Sequence, residues 1–72
     1  MDVVITRGSQ VWGVEVKASA TLHSADGNGL RRLAAQAGKD FQSGIIFYDG
    51  KSILPLDGRK ILAVPLELLW EW

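Results

Sequence analysis

The 72 residues are enough for one domain at most, and a balance of 47% hydrophobic to 22% charged residues excludes disorder. With no cysteine, neither a disulfide nor a Cys-based metal site compensates for a small core, a usage that fits a cytoplasmic protein. Zero net charge excludes a global basic field for nucleic acid, and the longest apolar stretch, "ILAVPLELLW", falls short of the ~20 residues of a membrane span.

"DVVIT", from residue 2, alternates and is rich in β-branched residues, so it reads as a strand. Gly8-Ser9 suits a two-residue hairpin turn, and "VWGVEVKA" is the second strand. "TLHSADGNG" reads as a loop or a ragged start of a helix, with Ser24 or Asp26 as the N-cap. Its lone histidine, His23, is expected to be solvated. The glycines around Asn28 suit either a flexible loop or an anion cradle. "LRRLAAQAGKDF" carries Leu30, Leu33, Ala34, Ala37 and Phe41 at helical spacing. Arg31, Arg32, Gln36 and Lys39 fall mostly on the other side, a solvated face or a small basic one. Gly38 is the expected helix stop.

"SGIIFYDG" is a continuous apolar run ending in a turn, the pattern of a strand buried on both faces. "KSILPL" reads as an edge strand because of Pro55, and "RKILAV" as another short strand. "PLELLWEW" predicts a short C-terminal helix with Pro65 at its first position. It gathers Leu66, Leu69 and Trp70, with Trp72 partly exposed. The expected fold is α/β: a mixed β-sheet with an N-terminal β-hairpin, one central helix and a short C-terminal helix, in the order ββαβββα.

The hairpin raises a chemical question. If Gly8 and Ser9 form the turn, Arg7 pairs with Gln10, Ile5 with Trp12 and Val3 with Val14. Asp2 then faces Glu15. Alternation puts Val3, Ile5, Trp12, Val14 and Val16 on one face, and Asp2, Val4, Thr6, Val11, Gly13, Glu15 and Lys17 on the other. Like charges directly across a strand pair destabilise it. Lys17 is one candidate to offset that cost. A divalent cation bridging Asp2 and Glu15 is another, since hard ions such as Mg²⁺ take carboxylate oxygens. Such an ion can activate water at a scissile phosphate, with Lys17 orienting the water or accepting its proton. A three-residue turn with a bulge would shift the register and separate these groups. The alternative is a polar face that meets solvent.

Asp, a short turn, Glu-x-Lys on the next strand, then a helix and a buried strand resembles the PD-(D/E)XK nuclease-like superfamily. "DVVITRGSQVWGVEVKASATL", "GLRRLAAQAGKDFQSGIIFYDG" and "ILAVPLELLW" are similar to one branch of it. That branch is the restriction-endonuclease-like domain, of largely undefined function, at the C-terminus of prokaryotic AAA+ ATPases. The resemblance implies Asp2 and Glu15 as metal ligands, with the Val16 carbonyl as a further oxygen. It implies Lys17 as the catalytic lysine and Mg²⁺ or Mn²⁺ as cofactor. The implied reaction is hydrolysis of a DNA or other nucleic-acid phosphodiester; Gln36 and the helix arginines match no motif residue and are candidates only for contact with phosphate.

Against the superfamily core, the first helix is missing. Residues 1–72 are therefore expected to be a single nuclease-like domain, the C-terminal portion of a larger one. No Gly-rich loop ending in Lys-Ser/Thr is present, so no ATP binding by this chain is expected. Two readings follow. One is a non-catalytic accessory domain of an AAA+ ATPase-type protein, with a protein partner or self-association through the sheet left uncovered. The other is a Mg²⁺-dependent nuclease using Asp2, Glu15 and Lys17.

Overall fold

The computed structural model describes residues 3–58 and 60–69. Strands β1 (Val3–Arg7) and β2 (Gln10–Lys17) form the hairpin. A 3-10 turn at Ser24–Gly27 leads into helix α1 (Asn28–Ala37). A second 3-10 turn, Gly38–Asp40, leads into β3 (Phe41–Tyr48). Strands β4 (Leu54–Asp57) and β5 (Ile61–Pro65) follow, and Leu66–Leu69 forms a last 3-10 turn. The five strands make one mixed sheet in the order β1-β2-β3-β5-β4. β2, β3 and β5 run parallel, and the two edge strands are antiparallel to their neighbours. The α/β expectation therefore holds, and no helix among the described residues is long and apolar enough to cross a membrane.

The hairpin register is the expected one: Arg7 pairs with Gln10, Ile5 with Trp12 and Val3 with Val14. Gly8 makes this possible with φ 60 at the first central turn position, where a side chain would be strained and glycine is not. Period-2 alternation then sends Gly13, Glu15 and Lys17 to one face of β2 and Trp12, Val14 and Val16 to the other.

Helix α1 covers the first of these faces. Leu30, Phe41, Ile46 and Ile61 form the buried centre, with Leu22, Leu33, Ala34, Ala37 and Leu56 packed against it. Gly44 lies beneath Leu30. A β-carbon there would sit 3.0 Å from Leu30 Cδ2 and 3.1 Å from Cδ1. The bare backbone at 44 is what lets the helix approach the sheet.

Three expectations are corrected. Phe41 does not extend the helix: Gly38, at φ 57, ends α1, and Phe41 opens β3 while still filling the core. Strand β3 is buried on one face only. Gly44, Ile46 and Tyr48 are buried, but Ile45 and Phe47 are partly open, because no element among the described residues packs on their side. The expected short C-terminal helix is present as a 3-10 turn at Leu66–Leu69, but Pro65 closes β5 opposite Tyr48 instead of standing at the helix's first position. β4 pairs with β5 only as far as Ala63, so beyond it that side of β5 asks no strand N–H of a proline. Trp70 and Trp72 lie outside the described residues.

The close contact at Gly44 gives a stability prediction. Gly44→Ala should destabilise the domain by about 1–3 kcal/mol, the usual cost of overpacking a filled core. That outweighs the ~0.4–1 kcal/mol that alanine gains by restricting the unfolded chain. Urea denaturation should show a lower midpoint with an unchanged slope. A midpoint at or above wild type would mean that Leu30 yields.

Candidate functional site

Glu15 and Lys17 lie two residues apart on β2, both on the face that α1 covers. Glu15 sits beside Ile46 and Lys17 beside Tyr48 in the parallel pairing with β3. This is the carboxyl end of the parallel strands, where open α/β sheets bind ligands. Val16, between them, points to the opposite face and is 53% exposed. Asp2 lies outside the described residues. The last hairpin pair described is Val3 with Val14. Among the described residues, no group of three or more His, Asp or Glu side chains is gathered as a metal would need.

The amine of Lys17 is directed at Asp26, with Nζ 3.0 Å from Oδ1. The other oxygen of Asp26 accepts the backbone N–H of His23 at 2.8 Å. Asp26 thus closes the 3-10 turn before α1 and holds the end of β2 at the same time. The His23 N–H, and then the Lys17 hydrogen bond and charge, hold its carboxyl below the usual aspartate range. Sequence reasoning placed Asp26 as a candidate helix N-cap and missed its tie to Lys17. The one legible signal was an aspartate three residues after His23, a spacing at which a carboxylate reaches back to a turn's first N–H. The imidazole of His23 is exposed, as expected.

The loop of residues 18–23 is also organised. The Ser19 hydroxyl donates to the Thr21 carbonyl at 3.1 Å and accepts its N–H at 3.2 Å. The Asp49 N–H donates to the Ser19 carbonyl at 3.0 Å, joining the ends of β2 and β3.

Arg31 is corrected most. It does not belong to a solvated helix face. Its Nη1 donates to the Ser24 carbonyl at 2.7 Å and to Asn28 Oδ1 at 3.0 Å. Its Nη2 donates to the Leu56 carbonyl at 3.2 Å. The planar guanidinium clamps the turn before α1 to the edge strand β4. Arg32 and Gln36 are exposed, and with Val4, Gly29 and Leu33 they line an open groove of about 240 Å³ between β1 and α1.

Over residues 1–69 the sequence matches a family described as a domain of unknown function, DUF4143. The chain belongs to this family. No curated protein and no solved structure matches it. The DUF4143 match spans the hairpin, α1 and every strand, so Glu15, Lys17 and Asp26 all lie within the family's domain.

The depressed Asp26 pKa has a definite sign. A carboxylate whose folded-state pKa lies below its unfolded value of ~3.9 adds stability above that value. That contribution is lost as pH falls through the folded pKa. Carboxyl NMR should find Asp26 titrating below ordinary aspartates. Asp26→Asn should be less stable than wild type at neutral pH, and the gap should close in acid below about pH 4. A gap that stays constant down to acid pH would rule out the ion pair as its source.

Proposed function

We propose that this DUF4143 domain is a nuclease-like accessory domain of an AAA+ ATPase-type protein, non-catalytic as this chain. The resemblance of its hairpin, helix and buried strand to the PD-(D/E)XK pattern supports the nuclease-like part. The observation that carries the non-catalytic part is the engagement of Lys17 with Asp26 at 3.0 Å. A lysine that orients or deprotonates a water must be aimed at that water. Here its amine is aimed at a carboxylate that also closes a structural turn. If a Mg²⁺ or Mn²⁺ ion binds, Glu15, Asp2 and the Val16 carbonyl would hold it, and it would supply charge neutralisation and an acidified water.

Calorimetric titration with Mn²⁺ tests this. The proposal expects wild type and Glu15→Ala to behave alike, with no site that depends on Glu15. Saturable binding by wild type that Glu15→Ala abolishes would mean that the carboxylates form a working centre.

One observation favours a second reading, a Mg²⁺-dependent nucleic-acid phosphodiester hydrolase. Glu15 and Lys17 share the α1 side of the sheet with the groove lined by Arg32 and Gln36. A backbone phosphate there would meet a guanidinium and an amide donor. Plasmid nicking in Mg²⁺ separates the two readings. The accessory reading expects no nicking by wild type, Glu15→Ala or Lys17→Ala. Nicking by wild type that either substitution reduces at least about 100-fold would establish the hydrolase.

A further inference from the structure

Asn28 is the only asparagine in the chain, and Gly29 follows it. This pair is chemically labile in a flexible backbone, because glycine has no side chain to shield its nitrogen or restrict its turning. The nitrogen of Gly29 attacks the side-chain carbonyl carbon of Asn28. The N–Cγ bond forms, the Cγ–Nδ2 bond breaks, and ammonia leaves with the proton of the Gly29 N–H. Water then opens the resulting succinimide ring. Attack at the side-chain carbonyl gives aspartate in an ordinary chain. Attack at the backbone carbonyl gives isoaspartate, in which the main chain runs through Cβ.

The fold holds this chemistry in check. Asn28 ends the 3-10 turn Ser24–Gly27 and opens α1, with φ −62 and ψ −37. At that ψ the Gly29 nitrogen is rotated away from the Asn28 side chain, and the ψ that closes the ring lies outside the helical region. The side chain is fixed as well. Its Oδ1 accepts from Arg31 Nη1 at 3.0 Å, and the same Nη1 donates to the Ser24 carbonyl at 2.7 Å. Arg31 Nη2 donates to the Leu56 carbonyl at 3.2 Å. The guanidinium also lies against Gly27, where a β-carbon would sit 3.2 Å from Arg31 Cζ. One planar group thus holds the turn, the Asn28 amide and the edge strand together. Asn28 itself is exposed, so water reaches it whenever the clamp opens.

We infer that Asn28 is a modification site, and that the Arg31 clamp sets the rate of its deamidation. The reaction waits on a local opening in which Arg31 lets go and the backbone at Asn28 turns. Its rate is that of the open chain multiplied by the open fraction. The two products act on the clamp in opposite directions. Aspartate gives Arg31 a carboxylate in place of an amide, a stronger partner, at a helix N-terminus that favours negative charge. Isoaspartate lengthens the main chain at the first residue of α1 and breaks the helical start. It therefore loosens the turn that carries Asp26 and its tie to Lys17.

The inference goes beyond the accessory reading and does not depend on whether Glu15 binds metal. Ageing the protein at mildly alkaline pH and following it by isoelectric focusing tests it. Each event adds one negative charge to a chain of zero net charge, and there is a single asparagine to supply it. Peptide mapping by mass spectrometry places the change at Asn28. The reference is the synthetic peptide "SADGNGLRRL", residues 24–33, which has no fold around it. Wild type should deamidate at least about 10-fold more slowly than the peptide. Arg31→Ala should be at least about 5-fold faster than wild type, and Arg31→Lys should fall between them. Gly44→Ala, which loosens the core and leaves the clamp alone, should stay near the wild-type rate. Wild type in low urea gives a reading that needs no variant: the rate should rise less steeply than global unfolding does. Deamidation of wild type at the peptide's rate overturns the inference. So does a wild-type rate in Arg31→Ala. Equal acceleration in Gly44→Ala and Arg31→Ala, or a urea slope equal to that of global unfolding, also overturns it, because the guard would then be the whole domain and not the clamp.

Discussion

The contact between Leu30 and Gly44 sets the position of everything else. A parallel pairing of β2 with β3 requires a crossover, and α1 supplies it. The helix can settle on the sheet only because residue 44 has no side chain beneath Leu30. Once it is seated, its first turn lies over the carboxyl end of β2. Asp26 then meets Lys17, and Arg31 reaches both Ser24 and the edge strand at Leu56. The ion pair, the clamp and the groove beside Arg32 all follow from one close approach. Hydrophobic burial of Leu30, Phe41, Ile46 and Ile61 holds the helix down. The polar contacts fix which way it points.

Much of this was legible in the sequence where the information is local. The hairpin register follows from Gly8-Ser9 and a period of two, and neither depends on distant residues. The edge position of β4 follows from Pro55. The end of α1 follows from Gly38. What could not be read depends on pairs brought together by the fold. Arg31 lies 25 residues from Leu56, and its helix position alone points to solvent. Lys17 and Asp26 are separated by the loop of residues 18–23, whose path is set by Ser19 and Asp49. β3 shows the limit of reading apolar runs. "GIIFY" is continuous, yet only alternate residues are covered, because a strand's hydrophobicity records what its two faces tolerate and not what sits on them. The hairpin half of the candidate site was therefore legible to the level of faces and neighbours. The fate of the Lys17 amine was not.

Among the described residues, one helix packs on the five strands, and it covers one side of them. Coverage falls on the side of Gly44, Ile46 and Ala63, and the other side keeps its valines and isoleucines in the open. That asymmetry is a conflict for an isolated chain. Burial is the dominant favourable term in folding, and half of the apolar sheet surface contributes little to it.

The two sides of the sheet meet on a single strand and remain physically separate there. β2 presents Gly13, Glu15 and Lys17 to α1, and Trp12, Val14 and Val16 to the open face. Alternation means that a substitution at one of these positions acts on one face and reaches the other only through the backbone. The strand backbone is held on both sides, by β1 and by β3, so that route is stiff. Whatever the charged face does with Glu15, the apolar face keeps its shape. Alternation therefore keeps the Glu15 and Lys17 side of β2 and its apolar side physically distinct.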